Sequence, residues 1–272
     1  MAYSGEPIRA EDLLFRPKHS LIDQSLHSRL GATTTNGDGF GIGWYGEGTR
    51  PAVFKNIEPA WNDRNLREIA AQVRTPLFFA HVRASTGTAV QRSNCHPFRH
   101  ERWLWMHNGA LRGFHEIKRD LVTAIDPVLY PDIEGSTDSE VLFFLALTFG
   151  LFDDPFGAVA RAVGFVEEVG REHGVADPVQ MTVTTTDGTS MWFFRYSSER
   201  QSRSLFYSTD IGTLRLLHPE VEVLWELSME ARFVVSEPLR DLPGAWNEVP
   251  ESAAGVVRAG HEEVRAFQPV AP

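Results

Sequence analysis

Cysteine is nearly absent from this chain: Cys95 is the one thiol in 272 residues. No disulfide can close within the chain, which fits a reducing compartment. Basic charge is in deficit, with 26 Lys and Arg against 36 Asp and Glu and a formal net charge of −10. Such a chain repels a phosphate backbone at long range, so nucleic acid is not an expected partner. The Lys118-Arg119 pair is too small to make a basic patch. No apolar run approaches the roughly 20 residues that span a bilayer. The opening MAYSGEPIRAEDLLF carries neither the basic nor the apolar region of a signal peptide. These absences predict a cytoplasmic protein with no membrane partner.

What is present suffices for a large core. With 42% apolar residues, the chain can bury one as a single domain over residues 1–272. NGDGFGIGWYGEG at 36–48 reads as a tight turn feeding a strand around Phe40–Tyr45. It lacks the Lys-Ser/Thr of a phosphate loop, and no helix follows it. Asn62 or Asp63 starts a helix, with Leu66, Ile69, Ala70 and Val73 at helical spacing. PLFFAHVRAST reads as a buried strand, Leu77–Val82, that delivers Arg83 to its end. WLWMHN is a strand over Trp103–His107 that stops at Asn108-Gly109.

Helices follow at FHEIKRDLVTAI, after Ser136 or Thr137, and from Pro155 to a stop at Gly174. The remainder reads as strands, with TDG and SSERQS as hairpin turns. Residues 240–272 read as an irregular tail. Consecutive hairpins favour antiparallel sheet, and apolar strands buried on both faces favour two packed sheets with helices outside.

Four signals carry chemistry, and each has a structural alternative. Arg83 at a strand end is either an ion-pair partner or a clamp for a carboxylate. Asn108-Gly109 is either a turn or a pair of donors for an oxyanion. Asp138 in STDSE belongs to a helix cap. Cys95, in SNCHPF, has His96 beside it, the pattern of a nucleophile and its base, but a lone thiol is more often packed in the core. No Cys or His spacing supports a metal site.

Taken in order, N-G-D-G-x-G-x-G-W-Y, H-x-R-A-S-T, N-C-H-P-F, M-H-N-G and S-T-D-S-E resemble the class II glutamine amidotransferase domain. The resemblance spans roughly residues 1–240 and is sharpest between 36 and 143. It is nearest to stand-alone members such as the γ-glutamyl hydrolases of ergothioneine biosynthesis and glutathione-degrading amidohydrolases. It implies an α+β fold, the four-layer αββα sandwich of N-terminal-nucleophile hydrolases, with two antiparallel sheets and neither cofactor nor metal. It implies that Arg83 binds the α-carboxylate of glutamine or a γ-glutamyl compound and Asp138 its α-amino group. Asn108 and the Gly109 N–H would form the oxyanion hole, with Thr86 and His107 lining the pocket. No synthase domain fits in this length, so any ammonia acceptor or synthetase would be a separate subunit.

In that family the nucleophile is an N-terminal cysteine whose own α-amine, with a pKa of about 7.7–8.0, acts as base. Cys95 is internal and has no free amine, so it is expected to be a packed thiol, with His96 positioning nearby backbone. Family members open with Met-Cys-Arg-Trp-Leu-Ala-Tyr-Ser-Gly or close to it, whereas this chain opens Met1-Ala2-Tyr3-Ser4-Gly5. The chain as written is therefore expected to be inactive, its natural start lying four codons upstream with Met1 in place of the leucine. The alternative is a non-catalytic module that binds glutamine or a γ-glutamyl compound.

Overall fold

The computed structural model describes residues 1–272 apart from residues 32 and 86. Strand β1 (Ala2–Arg9) leads into helices α1 (Ala10–Leu14) and α2 (Leu21–His27), then the hairpin β2 (Phe40–Trp44) and β3 (Ala52–Asn56). Helix α3 (Arg64–Gln72) is capped by Asp63, whose carboxylate accepts from the Leu66 N–H at 2.8 Å, and it returns the chain to β4 (Arg74–Val82). Strands β5 (Phe98–His100) and β6 (Trp103–Leu111) open a second sheet. Helices α4 (Phe114–Thr123), α5 (Asp138–Thr148) and α6 (Pro155–Glu172) cross its outer face. Then come β7 (Val179–Thr186), β8 (Ser190–Ser197), β9 (Phe206–Ser208), α7 (Ile211–Leu217), α8 (Val223–Glu226) and β10 (Arg232–Val235). The chain ends in β11 (Trp246–Glu248), β12 (Ala253–Arg258) and β13 (His261–Ala266).

The described residues form two antiparallel sheets, in strand orders β11-β9-β10-β1-β4-β2-β3 and β13-β12-β8-β7-β6-β5. Alternation along each strand separates three apolar layers. Ala2, Leu77, Phe79, Leu104, Met106, Met191 and Phe193 fill the space between the sheets. Tyr3, Phe78, Ala80, Phe40 and Ile42 face α1–α3, and Trp103, Trp105, Met181, Val183 and Phe194 face α4–α6. Four layers result, helix–sheet–sheet–helix. Helix α5 is apolar on every side, as a helix packed between a sheet and two other helices must be.

The glycine run at 36–48 has a packing reason. Gly41 and Gly43 point between the sheets, where residues 96 and 97 pass close. A Cβ on Gly41 would fall 2.1 Å from the His96 carbonyl oxygen.

Three readings from sequence are corrected. Residues 240–272 are not an irregular tail, because β11 pairs with β9 and β12 pairs with both β8 and β13. SSERQS is not a hairpin turn, because β8 and β9 lie in different sheets and residues 198–205 cross between them. The strand at 103 does not stop at Asn108-Gly109 but pairs with β7 through Leu111.

Gly41→Ala should lower stability by about 1–3 kcal/mol in chemical denaturation, the range for overpacking. Gly46→Ala, where a Cβ meets nothing within 4 Å, should change it by less than about 0.5 kcal/mol. Equal effects would show that the sheet separation does not depend on Gly41.

Candidate functional site

At one end of the space between the sheets the strands open onto a cavity of about 140 Å³. Met1, Arg83, His107, Asn108, Gly109 and Asp138 all line it. The candidate residues from three separate segments are thus brought together. Thr86 lies outside the described residues.

Arg83 directly follows β4 and is 5% exposed. Its Nη2 donates to Thr88 Oγ1 at 2.6 Å, Ser85 Oγ at 3.2 Å and the Ala89 carbonyl at 3.3 Å, and its Nη1 to the Asp38 carbonyl at 3.4 Å. Every one of these acceptors is neutral. The Asp38 carboxylate instead accepts from the Ser85 N–H at 2.7 Å and so fixes the turn that holds Arg83. Burying a guanidinium costs free energy unless a counter-charge joins it. Among the described residues none does, and the charge borders the cavity.

Asn108 shares the inter-sheet face of β6 with Leu104 and Met106. His81 Nε2 lies 2.9 Å from Asn108 Oδ1, so the imidazole donates and the amide oxygen is taken. The amide nitrogen has no partner among the described residues. His81 is held neutral, its pKa pulled down to about 3 by burial first and the nearby Met1 amino group second. Gly109 follows, where a Cβ would fall 1.9 Å from the Gln180 carbonyl oxygen; only glycine lets β7 approach this closely.

His107 points to the other face of β6. Its Nε2 donates to the Gln180 carbonyl at 3.3 Å, which leaves Nδ1 to accept from Ser139 Oγ at 2.8 Å. Burial lowers its pKa, and the opposing charge of Asp138 only partly offsets this.

Asp138 is the first residue of α5, capped by Thr137 Oγ1 to the Glu140 N–H at 3.2 Å. One Asp138 oxygen accepts from the Leu111 N–H at 2.7 Å and the other from the Ser139 N–H at 2.8 Å. The carboxylate thus ties the start of α5 to the end of β6, and it also borders the cavity.

Met1 reaches the cavity through the strand pairing. Its amino group donates to the Ala80 carbonyl at 2.9 Å, and its carbonyl accepts from the Ala80 N–H at the same distance. Burial brings the amine pKa down from 8.0 to about 5.

Cys95 is fully buried outside this lining, its Sγ 3.5 Å from the Asn56 carbonyl, and burial raises its pKa. It has the setting of a packed thiol. His96 does not hold nearby backbone through its ring: among the described residues neither ring nitrogen has a partner. The ring packs 4.4 Å from His81 and 4.5 Å from Phe98 between centroids.

Two residues here carried no sequence signal. Glu237 is buried and accepts from Ser28 Oγ at 2.9 Å, the Arg29 N–H at 2.8 Å and the Leu30 N–H at 3.1 Å, with His19 Nε2 against it as well. It pins residues 28–30 along the cavity rim. Arg203 enters from the 198–205 crossover. Among the described residues no three His, Cys, Asp or Glu side chains are grouped to hold a metal ion, and no helix is long and apolar enough to cross a membrane.

Comparison with known proteins gives the family. Residues 18–268 match the family described as glutamine amidotransferases class-II. The chain is 35% identical over 277 residues to the probable glutamine amidotransferase DUG3 of Saccharomyces cerevisiae, covering 91% of this chain and 78% of that one. It is 26% identical to the gamma-glutamyl-hercynylcysteine sulfoxide hydrolase of Mycolicibacterium smegmatis, covering 96% of each. A glutamine aminotransferase class-II domain protein from Silicibacter pomeroyi superposes with a TM-score of 0.76 at 32% identity, covering 99% of this chain and 98% of that one. Glutamine phosphoribosylpyrophosphate amidotransferase from B. subtilis, at 16% identity and a TM-score of 0.64 over 98% of this chain and 48% of that one, shares the fold. The two facing antiparallel sheets are the N-terminal-nucleophile hydrolase fold, and the chain belongs to the class-II glutamine amidotransferases.

Proposed function

We propose that this protein hydrolyses the γ-glutamyl amide of glutamine or a γ-glutamyl compound through a thioester, with the nucleophile on a cysteine carried ahead of Met1. The observation that supports this most is the joining, in one cavity, of a buried Arg83 without a counter-charge, the Asn108-Gly109 pair, Asp138 and the inner end of β1. A zwitterionic head group needs one fixed cation and one fixed anion, and gripping both leaves the distal amide aimed in one direction. Arg83 takes the α-carboxylate and Asp138 the α-amino group.

Strand register supports a position for that cysteine. Met1 lies opposite Ala80, so a strand continued three residues further, about 10 Å, ends opposite Arg83. Alternation puts that residue on the inter-sheet face with Ala2, the face that carries Asn108. A cysteine there attacks the amide carbon, and its own α-amine takes the thiol proton and passes it to the departing nitrogen. The carbonyl oxygen becomes an oxyanion held by the Asn108 amide and the Gly109 N–H. Water then cleaves the thioester to release glutamate and restore the thiol. A γ-glutamyl-binding module without catalysis shares the clamp and differs only in turnover.

Adding Met-Cys-Arg-Trp ahead of Met1 should produce γ-glutamyl hydrolysis once the new methionine is trimmed. An extended, correctly trimmed chain that binds γ-glutamyl amides without cleaving them would favour the binding module. In the extended chain Asn108→Ala should lower kcat roughly 10²–10³-fold with little change in KM, as expected on removing one oxyanion donor. An effect confined to KM would place Asn108 on the ground state.

The Met1 amine adds a pH signature. Its pKa is about 5 folded against 8.0 unfolded, so the unfolded chain holds the extra proton between those values. Stability should therefore rise with pH from about 5 to 8 and fall again as pH drops through that window. Urea midpoints across the range measure this, and acetylation of the amine before folding should remove the slope above about pH 7, leaving below it the part owed to the buried His81 and His107.

A further inference from the structure

A second cavity, of about 220 Å³, lies where the open edges of the two sheets come together. Strand β3 ends one sheet and β5 ends the other. Lys55 reaches the cavity from β3, Arg99 from β5 and Arg92 from the turn Arg92–Asn94. Asp132, Glu134 and Glu140 line it as well. It is separate from the cavity that holds Arg83. Arg92 and Ser93 border the second cavity where Asn94 borders the first. Glu134 and Glu140 border the second where Thr137, Asp138 and Ser139 border the first. Two short segments thus form a wall with a cavity on each side.

The hydrogen-bonding capacity left open here belongs mostly to cations. Glu140 is buried, and its two carboxylate oxygens accept from the Glu134 N–H at 3.0 Å and the Gly135 N–H at 2.7 Å. Asp132 faces His100 Nδ1 at 3.2 Å, and Glu134 is exposed. The three cations have no such engagement. Among the described residues Lys55 has neither a hydrogen bond nor an ion pair; its ammonium stands 5.0 Å from the centre of the Phe98 ring. Burial lowers its pKa, and the charge of Glu140 only partly offsets this. Arg99 donates to the neutral Pro51 carbonyl at 3.1 Å, and burial and then the nearby Arg50 charge lower its pKa. Arg92 pairs with no acid among the described residues.

Exposed cations are solvated and need no partner, which accounts for Arg92 and Arg99 taken singly. It does not account for Lys55. This side chain starts on the inter-sheet face of β3, where its Cγ lies 3.1 Å from the place of a Cβ on Gly41. A half-buried ammonium costs free energy until an anion joins it, and a phenylalanine face offsets only part of that cost. Three cationic side chains from three segments suit an anion with three acceptor oxygens and more than one charge. A phosphate has both.

We infer that this second cavity binds a phosphate group, free or on a small monoester, with Lys55, Arg92 and Arg99 as its donors. The site is independent of the hydrolase reading above. A ligand in it rests against the loop that places Asp138.

Titration calorimetry of the chain as it stands, at low ionic strength and without phosphate or sulfate in the buffer, reads the site. The probes are inorganic phosphate, methyl phosphate and acetate. One phosphate should bind per chain, and acetate should bind about tenfold more weakly or worse, the difference made by a further hydrogen bond to a charged group. Lys55→Met keeps the stem and removes the charge; it should lower phosphate affinity by about tenfold or more for the same reason. Arg92→Gln, at an exposed position, should do likewise, and it serves if the Lys55 variant does not fold. Methyl phosphate bound more tightly than phosphate would mark a monoester as the natural ligand, and any other order the free ion; both support the site. No binding to the parent chain, or acetate bound as well as phosphate, would overturn the assignment. So would phosphate affinity that survives both substitutions, and its loss in Arg83→Gln instead would put the anion in the first cavity.

Discussion

A guanidinium held between two sheets by neutral oxygens is the constraint around which this end of the molecule is organised. Arg83 is buried in a poorly solvated place, and the carboxylates of Asp38 and Asp138 are engaged by backbone amides instead of by it. Asp38 holds the Ser85 amide; Asp138 holds the amides of Leu111 and Ser139. Those bonds do more than satisfy donors. They fix the turn after β4 and the join between β6 and α5, so the cation and the anion stay apart with a cavity between them. Direct pairing would stabilise the empty protein and close the site.

Such a separation requires rigid walls, and the walls are set by close backbone approach. Gly41 lets β2 pass under the 96–97 segment, and Gly109 lets β7 approach β6 beside Asn108. His81 and His107 then work from opposite faces. One, neutral, occupies the Asn108 amide oxygen; the other links Gln180 to Ser139 across the end of β6. Asn108 and Gly109 are thus braced from both sides by imidazoles whose burial disfavours their charged form.

The sequence made the centre of this arrangement legible because short motifs carried it. Arg83 stood at the end of an apolar strand, Asp138 behind a capping threonine, and Asn108-Gly109 after alternating tryptophans. The periphery was not legible. Strand β13, HEEVRA, is an edge strand with exposed charges, and β12 has a glycine at its centre; their pairing is decided by β8, some sixty residues earlier. SSERQS has the composition of a turn, and nothing local shows that the next strand joins the other sheet. Arg203 and Glu237 belong to no motif. Their partners are what the fold brings to them, Gln180 for one and the 28–30 backbone for the other. Asn-Gly misled in the opposite direction: a dipeptide common in turns lies within a strand because β7 pairs beyond it.

The place of β1 has a consequence for the life of the nascent chain. β1 is made before either of its neighbours, yet it sits between β4 and β10, with Ala2 opposite Phe79 on one side and Val234 on the other. The sheet cannot close around it until about 235 residues are made, which takes roughly 10–50 s at ordinary synthesis rates. Afterwards Met1 is buried, its carbonyl bonded to the Ala80 N–H. Until then one edge of β1 stands unpaired and open to pairing with another chain.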